Sequence, residues 1–236
     1  MKAVLFDMDG TLLPMDLNYF VRCYFDALGA HFVPFGYDPK KLIAAVWKCT
    51  DAMVVNDGTL LNEQVFWNGM ANEYGDAIRN DIRMFDEFYE TDFKRLQEVC
   101  GSSADAAKTV KRLKAAGTRL VLASNPVFPY EGQAERLRWS GNDPADFELI
   151  TTYSNAHYCK PNVGYFKEIA DALGLAPSDC LMVGNDVSDD GAAIAAGMEL
   201  FLLTDNLINK NGADISAIPH GGYKELNAYL EQKGLM

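Results

Sequence analysis

The chain has 236 residues, 49% of them hydrophobic and 23% charged, with a formal net charge of −12. That length and apolar content suffice for one large folded unit, or one carrying a smaller insertion, and show no chain-wide tendency to disorder. The negative balance argues against a nucleic-acid partner, whose phosphates it would repel, and allows an anionic small substrate only where the site neutralises its own carboxylates.

Residues 2–6 are a short apolar, β-favouring run that ends at Asp7, which predicts a buried strand. Acidic residues follow too soon for the apolar stretch of a signal peptide. No run approaches the roughly 18 apolar residues of a membrane span, so no membrane partner is expected. The five cysteines, Cys23, Cys49, Cys100, Cys159 and Cys180, are odd in number and form no CxxC pair. Unpaired thiols in a reducing, cytoplasmic setting are the expectation.

After Pro14 the pattern turns helical. Asp16 is a candidate cap for a helix through Leu28, with Gly29 as its stop. Asp38 and Pro39 combine a cap with proline at the first helical position, starting a helix towards Val55. Residues 56–59 read as a turn and 62–74 as a helix ended by Gly75. Residues 81–98 carry Ile82, Phe85, Phe88 and Tyr89 as a helical stripe.

From there strand and helix alternate. Helices are predicted over 105–116, 131–139, 162–173, 188–196 and 223–232, and strands over 119–123, 147–152, 180–183 and 199–203. Such alternation implies a parallel sheet with helices on both faces. The all-helical stretch of residues 15–95 interrupts it and reads as an inserted cap domain, leaving 1–14 and 96–236 as the α/β core. The many aromatic residues of the cap recur at helical spacing, as its own core would require.

Ligands of open parallel sheets bind beyond the carboxyl ends of the strands. Four such ends carry reactive residues here. The first is Asp7-Met8-Asp9-Gly10-Thr11, the second Ser124-Asn125-Pro126, the third the loop with Lys160-Pro161. The fourth is Gly184-Asn185-Asp186, followed by Asp189 and Asp190. Asp7 and Asp9, one residue apart after a strand, can both enter one pocket. One can act as nucleophile on phosphorus, the other as acid and base. An ordinary acidic turn uses the same residue types. Asp186 and Asp190 add negative charge, and two like charges about 4 Å apart repel by about 4 kcal/mol at an effective dielectric near 20. Oxygen ligands and a phosphoryl group favour Mg²⁺ as the counter-ion. Charge neutrality is reached if Asp9 is protonated and Mg²⁺ and Lys160 offset the remaining three carboxylates. Residues 186–191 partly mimic a calcium loop, but its twelfth position, which needs glutamate, is Gly197. His31, His157 and His220 are scattered without zinc-ligand spacing.

Taken in order, the four segments resemble the four motifs of the haloacid dehalogenase-like superfamily, in its phosphatase branch with a helical cap. The resemblance covers about residues 1–14 and 100–210. It implies a Rossmann-like core and a Mg²⁺-dependent phosphatase of a small phosphorylated metabolite. Asp7 would then be the nucleophile and Asp9 the general acid/base. Ser124, Asn125 and Thr11 would bind the transferring phosphoryl group, and Lys160 would stabilise the phospho-aspartate. The metal site would comprise the Asp7 carboxylate, the Asp9 backbone carbonyl and Asp186, with Asp190 (or its neighbour Asp189) supporting it or orienting Lys160. A sugar-phosphate mutase of the same superfamily and a non-catalytic phospholigand sensor are the competing expectations. Phosphonate-cleaving members use a cap lysine, and Lys40, Lys41 and Lys48 fall in the cap region.

Overall fold

The apolar runs at 3–6, 119–122, 149–150, 180–184 and 199–203 pair side by side because each can bury both faces only inside a sheet covered twice. A computed structural model describes residues 1–236. It contains β1 (Ala3–Phe6), β2 (Arg119–Leu122), β3 (Leu149–Ile150), β4 (Cys180–Gly184), β5 (Glu199–Leu203) and β6 (His220–Gly221). Every pairing is parallel, in the order β3-β2-β1-β4-β5-β6. The short β6 was not expected, because two residues carry no periodicity to read.

Helices α1 (Leu17–Phe32), α2 (Pro39–Val54), α3 (Asn62–Tyr74) and α4 (Ile82–Glu90) follow β1. Helices α5 (Ala104–Ala115), α6 (Tyr130–Trp139), α7 (Val163–Leu173), α8 (Ala192–Ala195) and α9 (Tyr223–Gln232) alternate with the later strands. Alternate strand residues separate into two cores, as the pleat demands. Leu5, Val121, Met182 and Leu202 pack with Phe166 and Ile169 of α7. Val4, Leu122, Val183 and Phe201 face the opposite way, towards Leu113 of α5, Leu137 of α6 and Leu226 of α9.

That second core continues without a break into the inserted helices, taking in Phe20, Leu28, Met53, Trp67, Phe88 and Phe93. The cap aromatics were expected to build a core of their own. Instead Tyr24 meets Phe128 edge-on at 5.6 Å, and Phe93 stacks on Trp139 at 5.0 Å. The insertion leaves and returns side by side, Met15 bridging to Cys100 and the Gly101 amide donating to the Pro14 carbonyl at 2.7 Å.

The caps expected at Asp16 and Asp38 form, each side chain accepting from the backbone amide three residues on. Three helical expectations are corrected. Gly29 does not end α1: it sits where a Cβ would come within 3.2 Å of Pro39 and 3.3 Å of Ile43, so its small size lets α2 lie close. The predicted helix 81–98 breaks at Thr91, whose hydroxyl bonds back to the Glu87 carbonyl, and resumes as a 3₁₀ segment, Asp92–Val99, which carries Phe93 to Trp139. The predicted helix 188–196 shrinks to α8, because the backbone of 185–190 is bound instead by the Asp186 and Asp190 side chains. All five cysteines are free, and no helix is long and apolar enough to cross a membrane.

Candidate active site

The carboxyl ends of β1, β2 and β4 and the loop before α7 converge on one cavity of about 430 Å³. Asp7 extends β1, its amide donating to the Val183 carbonyl of β4 at 2.9 Å. Its Oδ1 accepts from Lys160 Nζ at 2.9 Å, and the same ammonium donates to Asp190 Oδ1 at 2.6 Å. Lys160 and Asp190 are 2% and 1% exposed, so the ion pairs are shielded from water.

Asp190 spends its other oxygen on the backbone. Oδ2 accepts from the Asn185 and Asp186 amides, each at 2.9 Å. Gly184 makes this possible, since a Cβ there would collide with the Asp190 carboxylate. With both oxygens engaged, Asp190 is placed to orient Lys160 and the 184–186 turn; of the two roles expected of it, supporting the metal site or orienting Lys160, these contacts favour the second. Asp186 accepts from the Ser188 and Asp189 amides through Oδ1 alone. Asp189 also lines the cavity, its carboxyl pushed up by burial and by Asp186.

Ser124 and Asn125 face the cavity. The Ser124 carbonyl accepts from Thr151 Oγ1 at 2.7 Å and Tyr165 Oη at 2.8 Å, which fixes the turn that presents its hydroxyl. Asn125 Oδ1 accepts from the Lys160 amide at 2.9 Å, tying the second and third loops together. Thr11 was expected to bind substrate. It is buried instead, donating to Asn185 Oδ1 at 3.2 Å, and does not line the cavity; its work is to join the first and fourth loops.

Arg136 was not anticipated. It lies on α6 with 1% of its side chain exposed and forms an ion pair with Asp9 Oδ1. Its Nη1 donates to Gln133 Oε1 at 3.0 Å, and the guanidinium lies 4.9 Å from the Phe128 ring centroid. Gln133 donates in turn to the Asn125 and Thr151 carbonyls. A helical arginine ordinarily reads as solvated. The signal was its place beside Leu137 and three residues from Gln133, on the buried stripe of α6.

Electrostatically the site is crowded. Burial pushes the Asp7 carboxyl up to about 7, Lys160 opposing and Asp190 and Asp9 adding to the rise. Burial alone would lower Lys160, but Asp190 and Asp7 outweigh it and hold the ammonium charged. Counted formally, the carboxylates of Asp7, Asp9, Asp186, Asp189 and Asp190 face the cations Lys160 and Arg136, which leaves three negative charges. If Asp9 carries the proton that an acid role requires, two remain, and one divalent cation closes the balance; Arg136 is a second cation that the expected balance did not include. The residues fit a magnesium ion: Asp7 and Asp186 each keep an oxygen free of protein partners, and all donors are oxygen. No group of three or more His, Cys, Asp or Glu gathers closely enough to hold a metal ion by itself.

Comparison with known proteins decides the family. A family model described as haloacid dehalogenase-like hydrolase matches residues 1–197. The chain belongs to the haloacid dehalogenase-like hydrolase family. A glyceraldehyde 3-phosphate phosphatase of Methanothermobacter thermautotrophicus is 30% identical over 122 residues, covering 48% of this chain and 53% of that protein. The chain thus matches about half the length of this curated relative. Among solved structures, a haloacid dehalogenase family hydrolase from Deinococcus radiodurans R1, with bound phosphate and sodium, aligns with a TM-score of 0.59 at 22% identity, covering 100% of this chain and 97% of its own. A 2-haloacid dehalogenase from Pseudomonas syringae pv. Tomato DC3000 aligns with a TM-score of 0.60 at 18% identity, covering 99% of both chains. Both share the fold with this chain, one described only as a hydrolase and the other as a dehalogenase, so the choice between chemistries rests on the residues of the site.

Proposed function

We propose that the protein is a Mg²⁺-dependent phosphatase of a small phosphorylated metabolite in the cytoplasm, working through a phospho-aspartate on Asp7. The observation that carries this reading is the buried chain Asp7–Lys160–Asp190 at the floor of a cavity that also holds Asp9. A second aspartate two residues after the nucleophile is what separates phosphoryl transfer from dehalogenation in this family's motif, and the phosphatase relative points the same way.

Asp7 attacks phosphorus in line, forming an acyl-phosphate bond while the bond to the leaving oxygen breaks. Asp9 gives that oxygen a proton and later takes one from the water that attacks the phospho-aspartate, so the proton is returned each cycle. Arg136 holds Oδ1 of Asp9 and leaves Oδ2 for this transfer. Lys160 neutralises the nucleophile and then the acyl phosphate, and the Ser124 hydroxyl donates to a phosphoryl oxygen. When bound between Asp7, the Asp9 carbonyl and Asp186, Mg²⁺ supplies charge stabilisation for the phosphoryl oxygens.

The test is free phosphate released from p-nitrophenyl phosphate, with Mg²⁺ and with chelator, for the wild type and Asp7→Asn. Metal-dependent release that drops by about 10³-fold or more in the variant is expected. Undiminished turnover by Asp7→Asn, or full activity in chelator, contradicts the reading. A mutase would instead move the phosphoryl group within the substrate and release little phosphate.

A further inference from the structure

The cavity has two unlike halves. Its floor carries the carboxylates and Lys160; its cap side is built by Phe20, Val21, Phe25 and Trp47 together with Thr50 and Asp51 of α2. Phe25 and Trp47 stand 5.2 Å apart, and Trp47 is half-exposed at the mouth. Of all the lysines and arginines, Lys160 alone lines this space. Arg136 is turned away under Asp9, and Lys48 is engaged by Glu73 outside the cavity.

The polar groups of the cap wall are acceptors. Asp51 is exposed, and no protein side chain pairs with its carboxylate. Thr50 has committed its proton to the Val46 carbonyl at 2.9 Å, and the hydroxyl of Tyr24, a further lining residue, is taken up by that of Tyr89 at 2.9 Å. A leaving group carrying a second phosphate or a carboxylate would meet aromatic rings and an unpaired carboxylate, with no cationic side chain to receive it; an anion so placed loses hydration without a compensating charge. An apolar body suits the rings, and an ammonium or hydroxyl at its far end suits Asp51.

Resting on the phosphatase reading above, we propose that the substrate is a phosphate monoester whose alcohol is apolar, of aromatic size, and carries a hydrogen-bond donor, best an ammonium, facing Asp51. A volume of about 430 Å³ accommodates such a molecule. Phosphorylated acids and bisphosphates are disfavoured by the same wall.

The test compares three aryl phosphates that share a leaving oxygen and differ only at the far end of a two-carbon side chain. They are tyramine O-phosphate, 4-ethylphenyl phosphate and the O-phosphate of 3-(4-hydroxyphenyl)propionate. The ratio of kcat/KM values is read within each protein, so any loss of folded enzyme cancels. The wild type is expected to prefer the ammonium over the carboxylate compound by about tenfold or more. Asp51→Asn should flatten the ratio, and Asp51→Lys should reverse it. Equal or greater activity on the carboxylate compound overturns the proposal, as does a ratio that the Asp51 variants leave unchanged. So does faster turnover of phosphoglycolate or a sugar bisphosphate than of the whole aryl series, an outcome that would leave the phosphatase reading standing. Absence of phosphate release from every compound would overturn that reading and the substrate assignment together.

Discussion

At Asp7, burial and the neighbouring Asp190 and Asp9 carboxylates favour the protonated form so strongly that the carboxyl is pushed up to about 7 from an ordinary value of 3.8. The folded state therefore holds a proton that the unfolded chain has already released. Stability is expected to fall as pH rises from about 4 to about 7 and to stay reduced above that window. Asp7→Asn removes the penalty while keeping the side chain's size. In chelator at pH 8 the variant should melt above the wild type, and the gap should close as pH falls towards 4. Thermal unfolding at the two pH values checks this; a variant that melts below the wild type at pH 8 contradicts it. The proposed reactive residues were legible because each lies within three positions of a strand end: Asp7 and Asp9 after β1, Ser124 after β2, Asp186 after β4. Arg136 was not, since its partner Asp9 lies 127 positions away and only the fold brings them together. The place of Thr11 was illegible for a related reason: its hydroxyl donates to Asn185, a contact that local sequence does not reveal.

Among the elements, α3 is fixed to the sheet unit at its first residue. Asn62 is fully buried; its amide donates to the Ala156 carbonyl at 2.9 Å and its Nδ2 to the Pro126 carbonyl at 3.3 Å, while Oδ1 accepts from Asn56. Glu63 adds a bond from its amide to the Tyr153 carbonyl at 2.7 Å. These contacts anchor the insertion beside the turns that carry Asn125 and Lys160. Asn62→Ala leaves the Asn56 amide and the Pro126 carbonyl short of a partner and should cost about 1–3 kcal/mol. Urea denaturation measures it, and a loss below about 0.5 kcal/mol would show that the anchor is dispensable. Helices with clear caps, α1, α2 and α7, were legible at their starts because Asp16, Asp38 and Asn162 bond backbone amides just ahead of them. Their ends were less so. Gly29 has the residue type of a helix stop, yet it serves a close crossing of α1 and α2.

Over the whole molecule, the inserted helices and one face of the sheet share a continuous apolar core, from Val4 and Phe201 to Phe32 and Trp67. Helices that bury their aromatics against the sheet unit cannot unfold without exposing that unit's core. In a Trp139→Phe variant, fluorescence of Trp47 and Trp67 in the insertion and far-ultraviolet dichroism of the whole chain should therefore follow one urea transition with a common midpoint. An earlier fluorescence transition would reveal a separately folding cap. The alternation of strand and helix made the parallel sheet legible, because each β-favouring run is bounded by a helical period. The shared core was not, since apolar spacing shows which face a helix buries and not what covers it.

Asp7 as the site of a covalent intermediate is the claim on which the others depend. With p-nitrophenyl phosphate, whose leaving oxygen departs without a proton, Asp9→Asn slows the water step more than the first step, so the intermediate should accumulate during turnover and be trapped by borohydride, which reduces an acyl phosphate to the alcohol. Mass spectrometry of the digested protein should then find homoserine at position 7, formed only with substrate and Mg²⁺ present. Unmodified aspartate at position 7 under turnover, or substrate-dependent reduction at any other residue, would contradict it.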